Sequence, residues 1–260
     1  MNLWQRYPAR EIWHAPTVVG KLLIWQDFYS PQLDNRRDVL VYLPPSYEHS
    51  DRRYPVLYMH DGQNLFDSGT SFAGSEWQVD ETMEALAGEG IEAIVVGLNN
   101  TGEQRTAEYN PFPHFWQGHG EVYLQFIIET VKPLIDQDFR TRPDRDSTGI
   151  MGSSMGGLIS LYAFFRASAT FGFAGVMSPS LWVGGGAMYG VVESSPFIAG
   201  KLYVDNGTRE PSARRLNALL LKQGYRRDVD VKYVVEPDGE HNEAAWARRL
   251  PDALRFLLPR

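Results

Sequence analysis

The segment Gly152-Ser153-Ser154-Met155-Gly156 constrains the fold of this chain more than any other feature. An apolar stretch precedes it and an amphipathic stretch follows it, which is typical of a tight turn between a strand and a helix. Small residues on both sides let the central serine adopt a strained backbone conformation without clashes. The pattern therefore predicts a strand–turn–helix unit with Ser154 at the carboxyl end of the strand. The alternative is a glycine-rich turn that only packs against a sheet.

Strand and helix patterns alternate from about Tyr54 onward, which predicts parallel strands joined by crossover helices. Two earlier strands with turn residues between them predict an antiparallel start. The predicted strands cover residues 17–28, 37–43, 55–59, 92–98, 147–151, 173–177, 202–204 and 229–235. The predicted helices cover residues 76–87, 121–139, 155–166, 211–223 and 241–258, with a long loop at 99–118. We expect one α/β domain over residues 1–260, with a mostly parallel central sheet and helices on both faces.

The composition excludes several classes of protein. No apolar run approaches the roughly 20 residues of a membrane-spanning helix, and a net charge of −7 disfavours nucleic acid or anionic lipid as a partner. With no cysteine, the chain has no disulfide, thiolate metal site or cysteine nucleophile. Residues 1–10 lack the apolar region of a secretory signal, so a cytoplasmic location is expected. Composition leaves the oligomeric state open.

A serine hydroxyl needs a histidine to take its proton, and the histidine needs a carboxylate to orient it. When a nucleophile turn of this kind lies on an α/β sheet, the chain order is serine, acid, histidine. Five of the six histidines precede Ser154, which leaves His241 as the candidate base. His241 lies in a polar loop after the last predicted strand. A lone loop histidine can instead be simply solvated.

Two carboxylates are candidates for the acid, Asp205 and Glu210, because both follow the strand predicted at 202–204. Spacing alone allows either. Asp205 could instead be a turn former ahead of Asn-Gly, and Glu210 could be a favourable charge at a helix N-terminus.

Acyl transfer develops an oxyanion that two backbone N–H groups would stabilise. One donor is expected from Met155, which follows the serine, and the other from Gln63 in the turn after the strand at 55–59. The segment His60-Asp61-Gly62-Gln63-Asn64 could instead hold a metal ion, but no second histidine cluster completes such a site. Neither a metal nor a cofactor is expected.

The chain resembles the esterase D or enterochelin-esterase-like "putative esterase" family of α/β-hydrolases, which is related to feruloyl esterases and mycolyltransferases. The similarity runs from about Arg37 to the C-terminus. Its motifs are Val41-Tyr42-Leu43-Pro44-Pro45-x-Tyr47, Tyr54-Pro55-Val56-Leu57-Tyr58-Met59-His60-Asp61-Gly62, Glu76-Trp77, Glu108-Tyr109-Asn110-Pro111, Gly152-Ser153-Ser154-Met155-Gly156-Gly157 and Ser178-Pro179-Ser180-x-Trp182. The resemblance implies an α/β-hydrolase fold with antiparallel N-terminal strands, favours Glu210 as the acid, and supports Gln63 and Met155 as oxyanion donors through their main chains. The Asn-Leu-Phe after Gln63 departs from the glycine-rich loop of many relatives.

Aromatic residues in or beside the loops are expected near the carboxyl ends of the strands, where ligands bind in open α/β sheets. They are Trp77, Tyr109, Phe112, Trp116, Trp182 and Trp246, with Trp77, Tyr109 and Trp182 as the main candidates for a substrate pocket. The predicted function is hydrolysis of small carboxylic esters with short acyl, acetylated-sugar or aryl groups. The alternatives are an acyltransferase with the same residues, a catalytically idle binding protein, and a metal-dependent phosphoesterase using the Asp61 region.

Overall fold

A mixed nine-stranded sheet forms the centre of the protein in a computed structural model that describes residues 3–9 and 13–259. The strand order across the sheet is β1-β2-β3-β5-β4-β6-β7-β8-β9. The strands are β1 Gln5–Arg6, β2 Lys21–Ser30, β3 Asn35–Leu43, β4 Val56–His60, β5 Ile94–Leu98, β6 Thr148–Ser153, β7 Phe173–Met177, β8 Lys201–Gly207 and β9 Val231–Glu236. Strands β1, β2 and β3 pair antiparallel, β3 pairs antiparallel with β5, and the remaining pairs are parallel. The predicted fold class is confirmed.

Helices cover both faces of the sheet. They are α1 Val79–Ala87, α2 Arg105–Glu108, α3 Gly120–Gln125, α4 Lys132–Asp138, α5 Met155–Arg166, α6 Ala187–Ser194, α7 Arg214–Lys222 and α8 Glu243–Leu257. The buried residues of α1 and α8 pack in one layer of the core, and those of α3 to α7 pack in the other. Among the helices of the described residues, none combines the length and the apolar composition of a membrane-spanning segment.

Strand β3 shows how the two layers arise from the sequence. Successive side chains of a strand point to opposite faces of the sheet. Val39 and Val41 therefore pack in the layer of α5, whereas Leu40 and Tyr42 pack in the layer of α1 and α8. The second half of β3, residues 39–43, is apolar at every position, as burial on both faces requires.

The structure differs from the prediction in two elements that bear on the site. The helix predicted over 121–139 runs from Gly120 to Asp138 but contains a π-helical segment, Phe126–Val131, just before Pro133. Proline has no N–H and its ring crowds the carbonyl four residues earlier, so a widened turn accommodates it. Strand β8 continues past the predicted end at residue 204, because 205–207 pair with 234–236 of β9. Asp205 therefore lies within a strand and not in a turn.

Candidate active site

Ser154 occupies a sharp turn between β6 and α5 at the carboxyl edge of the sheet. Its backbone has φ 57° and ψ −120°, a conformation that L-residues rarely adopt. Two long-range hydrogen bonds hold the turn: the Ser154 N–H donates to the Met177 carbonyl, and the Ser180 N–H donates to the Ser154 carbonyl, both at 3.0 Å. A strained serine kept in place by its surroundings is a common feature of functional sites.

Glycines make this turn sterically possible. A Cβ added to Gly152 would lie 2.8 Å from His60 Cδ2, and one added to Gly157 would lie 2.8 Å from the Met177 carbonyl oxygen. Both distances are shorter than real side chains tolerate. The glycines of the motif therefore allow the neighbouring strand and loop to approach the serine closely.

His241 and Glu210 form a hydrogen-bonded pair beside this turn. His241 Nδ1 lies 2.6 Å from Glu210 Oε2. The Glu210 side chain is 2% exposed, whereas the His241 side chain is 41% exposed. The buried carboxylate therefore contacts the inner edge of the imidazole ring, and the rest of the ring is accessible from the surface. Burial alone would raise the pKa of Glu210, but hydrogen bonds from His241, the Gly207 N–H and the Ser178 hydroxyl outweigh it and lower that pKa. Glu210 is therefore an anion at neutral pH.

Asp205, the alternative acid, points elsewhere. Its Oδ1 accepts the Ser178 N–H at 3.0 Å and lies 3.4 Å from Arg249 Nη1. Burial raises the pKa of Asp205 to about 7, although Arg249 opposes the shift. The structure brings Glu210, and not Asp205, into contact with His241.

A buried network around Ser178 holds Glu210. The Ser178 hydroxyl donates to Glu210 Oε1 at 2.7 Å and accepts hydrogen bonds from Trp246 Nε1 at 2.9 Å and from Arg249 Nη2 at 3.1 Å. The ring of Trp246 also stands edge-on to the His241 ring, with centroids 5.1 Å apart. Sequence reasoning gave Ser178 and Arg249 no role. The only signal was the Ser178-Pro179-Ser180 motif.

The two expected oxyanion donors lie at turns beside the serine. Met155 is the first residue of α5, where backbone N–H groups have no partner within the helix. Gln63 lies in the 3₁₀ turn Gly62–Asn64 after β4. Its carbonyl accepts the Thr70 hydroxyl at 2.7 Å and its side chain accepts the Asn100 N–H at 3.2 Å, which fixes the orientation of the turn.

Asp61 and His60 belong to the segment 60–64, the alternative metal site, and both contact protein partners. Arg105 binds both carboxylate oxygens of Asp61 at 2.7 Å, and Asn100 Nδ2 donates to Oδ1 at 2.7 Å. Burial would raise the pKa of Asp61, but Arg105 outweighs it and the pKa is lowered. His60 is buried with its Nδ1 2.9 Å from the Tyr123 hydroxyl, and burial lowers its pKa to about 3. Asp61 therefore already has a cationic partner, and His60 is neutral at pH 7.

A cavity of about 420 Å³ opens onto the serine and the histidine. Its wall combines two aromatic rings with polar side chains. It is lined by Asp61, Gln63, Asn64, Phe72, Asn100, Arg105, Ser153, Ser154, His241, Glu243 and Trp246. Volumes of this size are ordinary for small-molecule sites.

The aromatic residues expected to form the pocket are mostly elsewhere. Trp77 and Tyr109 are buried in the core, at 3% and 0% exposure. Trp77 packs behind Trp246 with ring centroids 5.6 Å apart, so it supports a cavity residue without lining the cavity. Trp182 is 57% exposed and stands edge-on to Trp116 outside the cavity. Phe72 was not predicted, because an isolated ring in a polar loop carries no periodic signal.

Comparison with known proteins agrees with this architecture. The family model described as "Putative esterase" matches residues 30–257. The Bacillus subtilis (strain 168) protein YbbA is 26% identical over 243 residues, covering 86% of this chain and 92% of that protein. The siderophore enterobactin esterase of Emericella nidulans is 29% identical over 138 residues, covering 52% of this chain and 42% of that protein.

Solved structures share the fold. A ferulic acid esterase superposes with a TM-score of 0.70 at 22% identity, covering 91% of this chain and 99% of that one. Because the family model spans most of the chain, the protein belongs to the "putative esterase" family of α/β-hydrolases and is a carboxylic ester hydrolase.

Proposed function

We propose that this esterase cleaves its substrate through Ser154 as nucleophile, His241 as general base and acid, and Glu210 as the carboxylate that orients His241. The observation that carries the proposal is the 2.6 Å pair between Glu210 and His241, next to a cavity that His241 shares with Ser154. Asp205 has no part in this mechanism. Its carboxylate accepts a hydrogen bond from the backbone N–H of Ser178.

The proposed reaction has two steps. Ser154 Oγ attacks the ester carbonyl carbon while His241 Nε2 takes the hydroxyl proton, and the carbonyl electrons move to oxygen. His241 then gives the proton to the departing alkoxide as the carbon–oxygen bond breaks. In the second step His241 takes a proton from water as the water oxygen attacks the acyl-serine. His241 then returns this proton to Ser154 Oγ as the bond between serine and the acyl group breaks, which releases the acid. The Ser154 hydroxyl lies 3.2 Å from the Ser180 hydroxyl in this structure, so we expect it to rotate toward His241 when substrate binds.

Glu210 and the backbone stabilise the charges of this reaction. With Nδ1–H donated to Glu210, the Nε2 lone pair is left to accept the serine proton, and the carboxylate stabilises the imidazolium that forms. We assign the developing oxyanion to the N–H groups of Met155 and Gln63. Such donors act without reorganisation because each is fixed by a helix start or by a hydrogen-bonded turn.

For the substrate, we propose small esters with an aromatic or other compact group, in preference to long-chain lipids. Phe72 and Trp246 offer ring surfaces in the cavity, and Arg105, Asn100 and Gln63 offer polar groups. The names of two similar proteins, a ferulic acid esterase and an enterobactin esterase, are consistent with aryl-containing esters.

The test is a panel of acetyl, butyryl, octanoyl, acetylated-sugar and feruloyl esters, assayed with wild type and Ser154→Ala. We expect wild type to favour compact esters and Ser154→Ala to lose activity on all of them. Ser160→Ala is the matched control, since Ser160 lies on α5 and, within residues 3–9 and 13–259, its hydroxyl hydrogen-bonds only the Gly156 carbonyl. Equal activity of wild type and Ser154→Ala would refute the proposal.

A second pair of variants tests the cavity wall. Phe72→Ala should raise KM for the feruloyl ester more than for the acetyl ester, because only the larger group reaches the ring. Phe115→Ala, which removes an exposed ring outside the cavity, should change neither. An unchanged feruloyl KM in Phe72→Ala would contradict the proposed position of the aryl group.

A further inference from the structure

Three carboxylates cluster at the start of α1, outside the cavity described above. They are Glu76, Asp80 and Glu81, and one oxygen from each lies within 4.8 Å of the others. Asp80 is fully buried and Glu76 is 8% exposed. Carboxylates are rarely buried to this extent unless a cation or several donors accompany them.

The protein satisfies only part of this cluster. Glu76 Oε1 accepts the Thr17 hydroxyl at 2.6 Å, and Asp80 Oδ2 accepts the Val19 N–H at 2.7 Å. The other oxygens, Glu76 Oε2, Asp80 Oδ1 and Glu81 Oε2, are buried and have no hydrogen-bond partner among the described residues. Both donors are neutral.

No described lysine, arginine or histidine forms an ion pair with the three side chains. The N-terminus of α1 contributes a partial positive charge of only about +0.5. This partial charge can favour one acidic side chain in the first turn, but it does not balance the charge of three carboxylates. The unpartnered Oδ1 of the fully buried Asp80 is an acceptor in this cluster that lacks a positive partner.

We propose that Glu76, Asp80 and Glu81 bind a calcium ion. All the side-chain donors are carboxylate oxygens, which suit hard divalent cations. Calcium takes six to eight oxygen ligands in flexible geometry, whereas Mg²⁺ demands near-ideal octahedral geometry and usually binds one or two carboxylates and several waters. Three carboxylates supplied by the protein therefore fit calcium better. Water would complete the coordination on the side of Glu81, which is partly exposed.

No sequence pattern indicates this site, because acidic residues in the first turn of a helix are expected without any metal. Only the fold shows that Glu76, from the preceding loop, joins them. The ion would also fix the loop that carries Trp77, whose ring supports Trp246. The proposed site is independent of the ester chemistry.

The test uses the full chain after removal of divalent ions with EDTA. Trp77 directly follows Glu76, so it can sensitise the luminescence of Tb³⁺, a calcium substitute. We expect Tb³⁺ emission on excitation of tryptophan, its displacement by Ca²⁺, and a rise in Tm of about 2 °C or more at saturating Ca²⁺. Asp80→Asn should abolish both responses. It should still fold, because the amide oxygen can accept the Val19 N–H.

Glu193→Gln is the matched control, since Glu193 is an exposed carboxylate on α6, and it should keep both responses. Wild type with no calcium-dependent rise in Tm, and with Tb³⁺ emission no stronger than that of Asp80→Asn, would overturn the proposal and leave a shared proton as the occupant. A rise in Tm with Mg²⁺ as large as with Ca²⁺ would overturn the choice of calcium. Both readouts are independent of ester turnover, so their failure would leave the proposed catalytic mechanism untouched.

Discussion

His241 Nδ1 lies 2.6 Å from Glu210 Oε2, although 31 residues separate them along the chain. Asp205 lies within β8, five residues before Glu210, and its carboxylate contacts Ser178 and Arg249 but not His241. The two carboxylates differ in direction because Asp205 is still paired in the sheet, whereas Glu210 follows the end of β8. This difference separates the proposed catalytic carboxylate from a structural one.

Replacing the two carboxylates should therefore have unequal effects on catalysis. Glu210→Gln should lower kcat by about 10³–10⁴-fold, because the amide no longer stabilises the imidazolium or selects the correct tautomer. Asp205→Asn should lower kcat by less than about tenfold, since it contacts neither His241 nor the cavity. Steady-state kinetics on one ester decides this, and the reverse order of effects would identify Asp205 as the acid.

The difference in stability between Asp205→Asn and wild type should depend on pH. Burial raises the pKa of Asp205 to about 7, so the folded protein binds more protons than the unfolded chain between about pH 4 and pH 7. Wild type therefore loses stability across that interval and not above it. Asp205→Asn stays neutral, so its advantage should be small near pH 4 and should grow to about 1–4 kcal/mol at pH 7–8. Urea denaturation at pH 4, 6 and 8 measures this, and an equal difference at all three would contradict the raised pKa.

Ser178 should act by positioning Glu210. Ser178→Ala removes the donor to Glu210 Oε1 and the acceptor of Trp246 and Arg249. We expect kcat to fall about 10–100-fold with little change in KM, because the ester-binding wall stays in place while the acid–base pair loosens. The pH profile of kcat should shift as well. Raised KM with unchanged kcat would assign Ser178 to substrate binding.

The glycines of the serine turn should not tolerate side chains. A Cβ at Gly152 would approach His60 and the Gly156 backbone within 2.9 Å, so Gly152→Ala should destabilise the protein by about 1–3 kcal/mol. Gly190→Ala is the control, because Gly190 lies within α6 and an added Cβ meets nothing within 4 Å. It should stabilise by about 0.5–1 kcal/mol. Chemical denaturation measures the unfolding free energies of both variants. Equal effects would show that the serine turn can accommodate a Cβ at Gly152.

Local patterns in the sequence predicted the elements that depend on neighbours in the chain. The helix 155–166 and the strand 173–177 agree with α5 and β7, because apolar periodicity and glycines mark their ends. Chain order alone selected His241. Spacing left both Asp205 and Glu210 open as the acid, and the family resemblance favoured Glu210. The contact between Glu210 and His241 depends on where β8 ends, which pairing with β9 determines and which no local pattern encodes.

The rest of the site depends on tertiary contacts. The identity of an aromatic residue beside a loop does not predict whether its ring faces the core or the cavity. Trp77 and Tyr109 face the core. Arg249 meets the Ser178 hydroxyl from 71 residues away, and only the packing of α8 against the sheet brings them together.

The most direct test of Ser154 as nucleophile is covalent labelling with a serine-directed fluorophosphonate, followed by intact-mass analysis and peptide mapping. The account predicts one adduct per chain, located on the peptide at Ser154, absent in Ser154→Ala, and formed much more slowly in His241→Ala. Labelling of Ser154→Ala to the same extent as wild type, or an adduct on another serine, would contradict it.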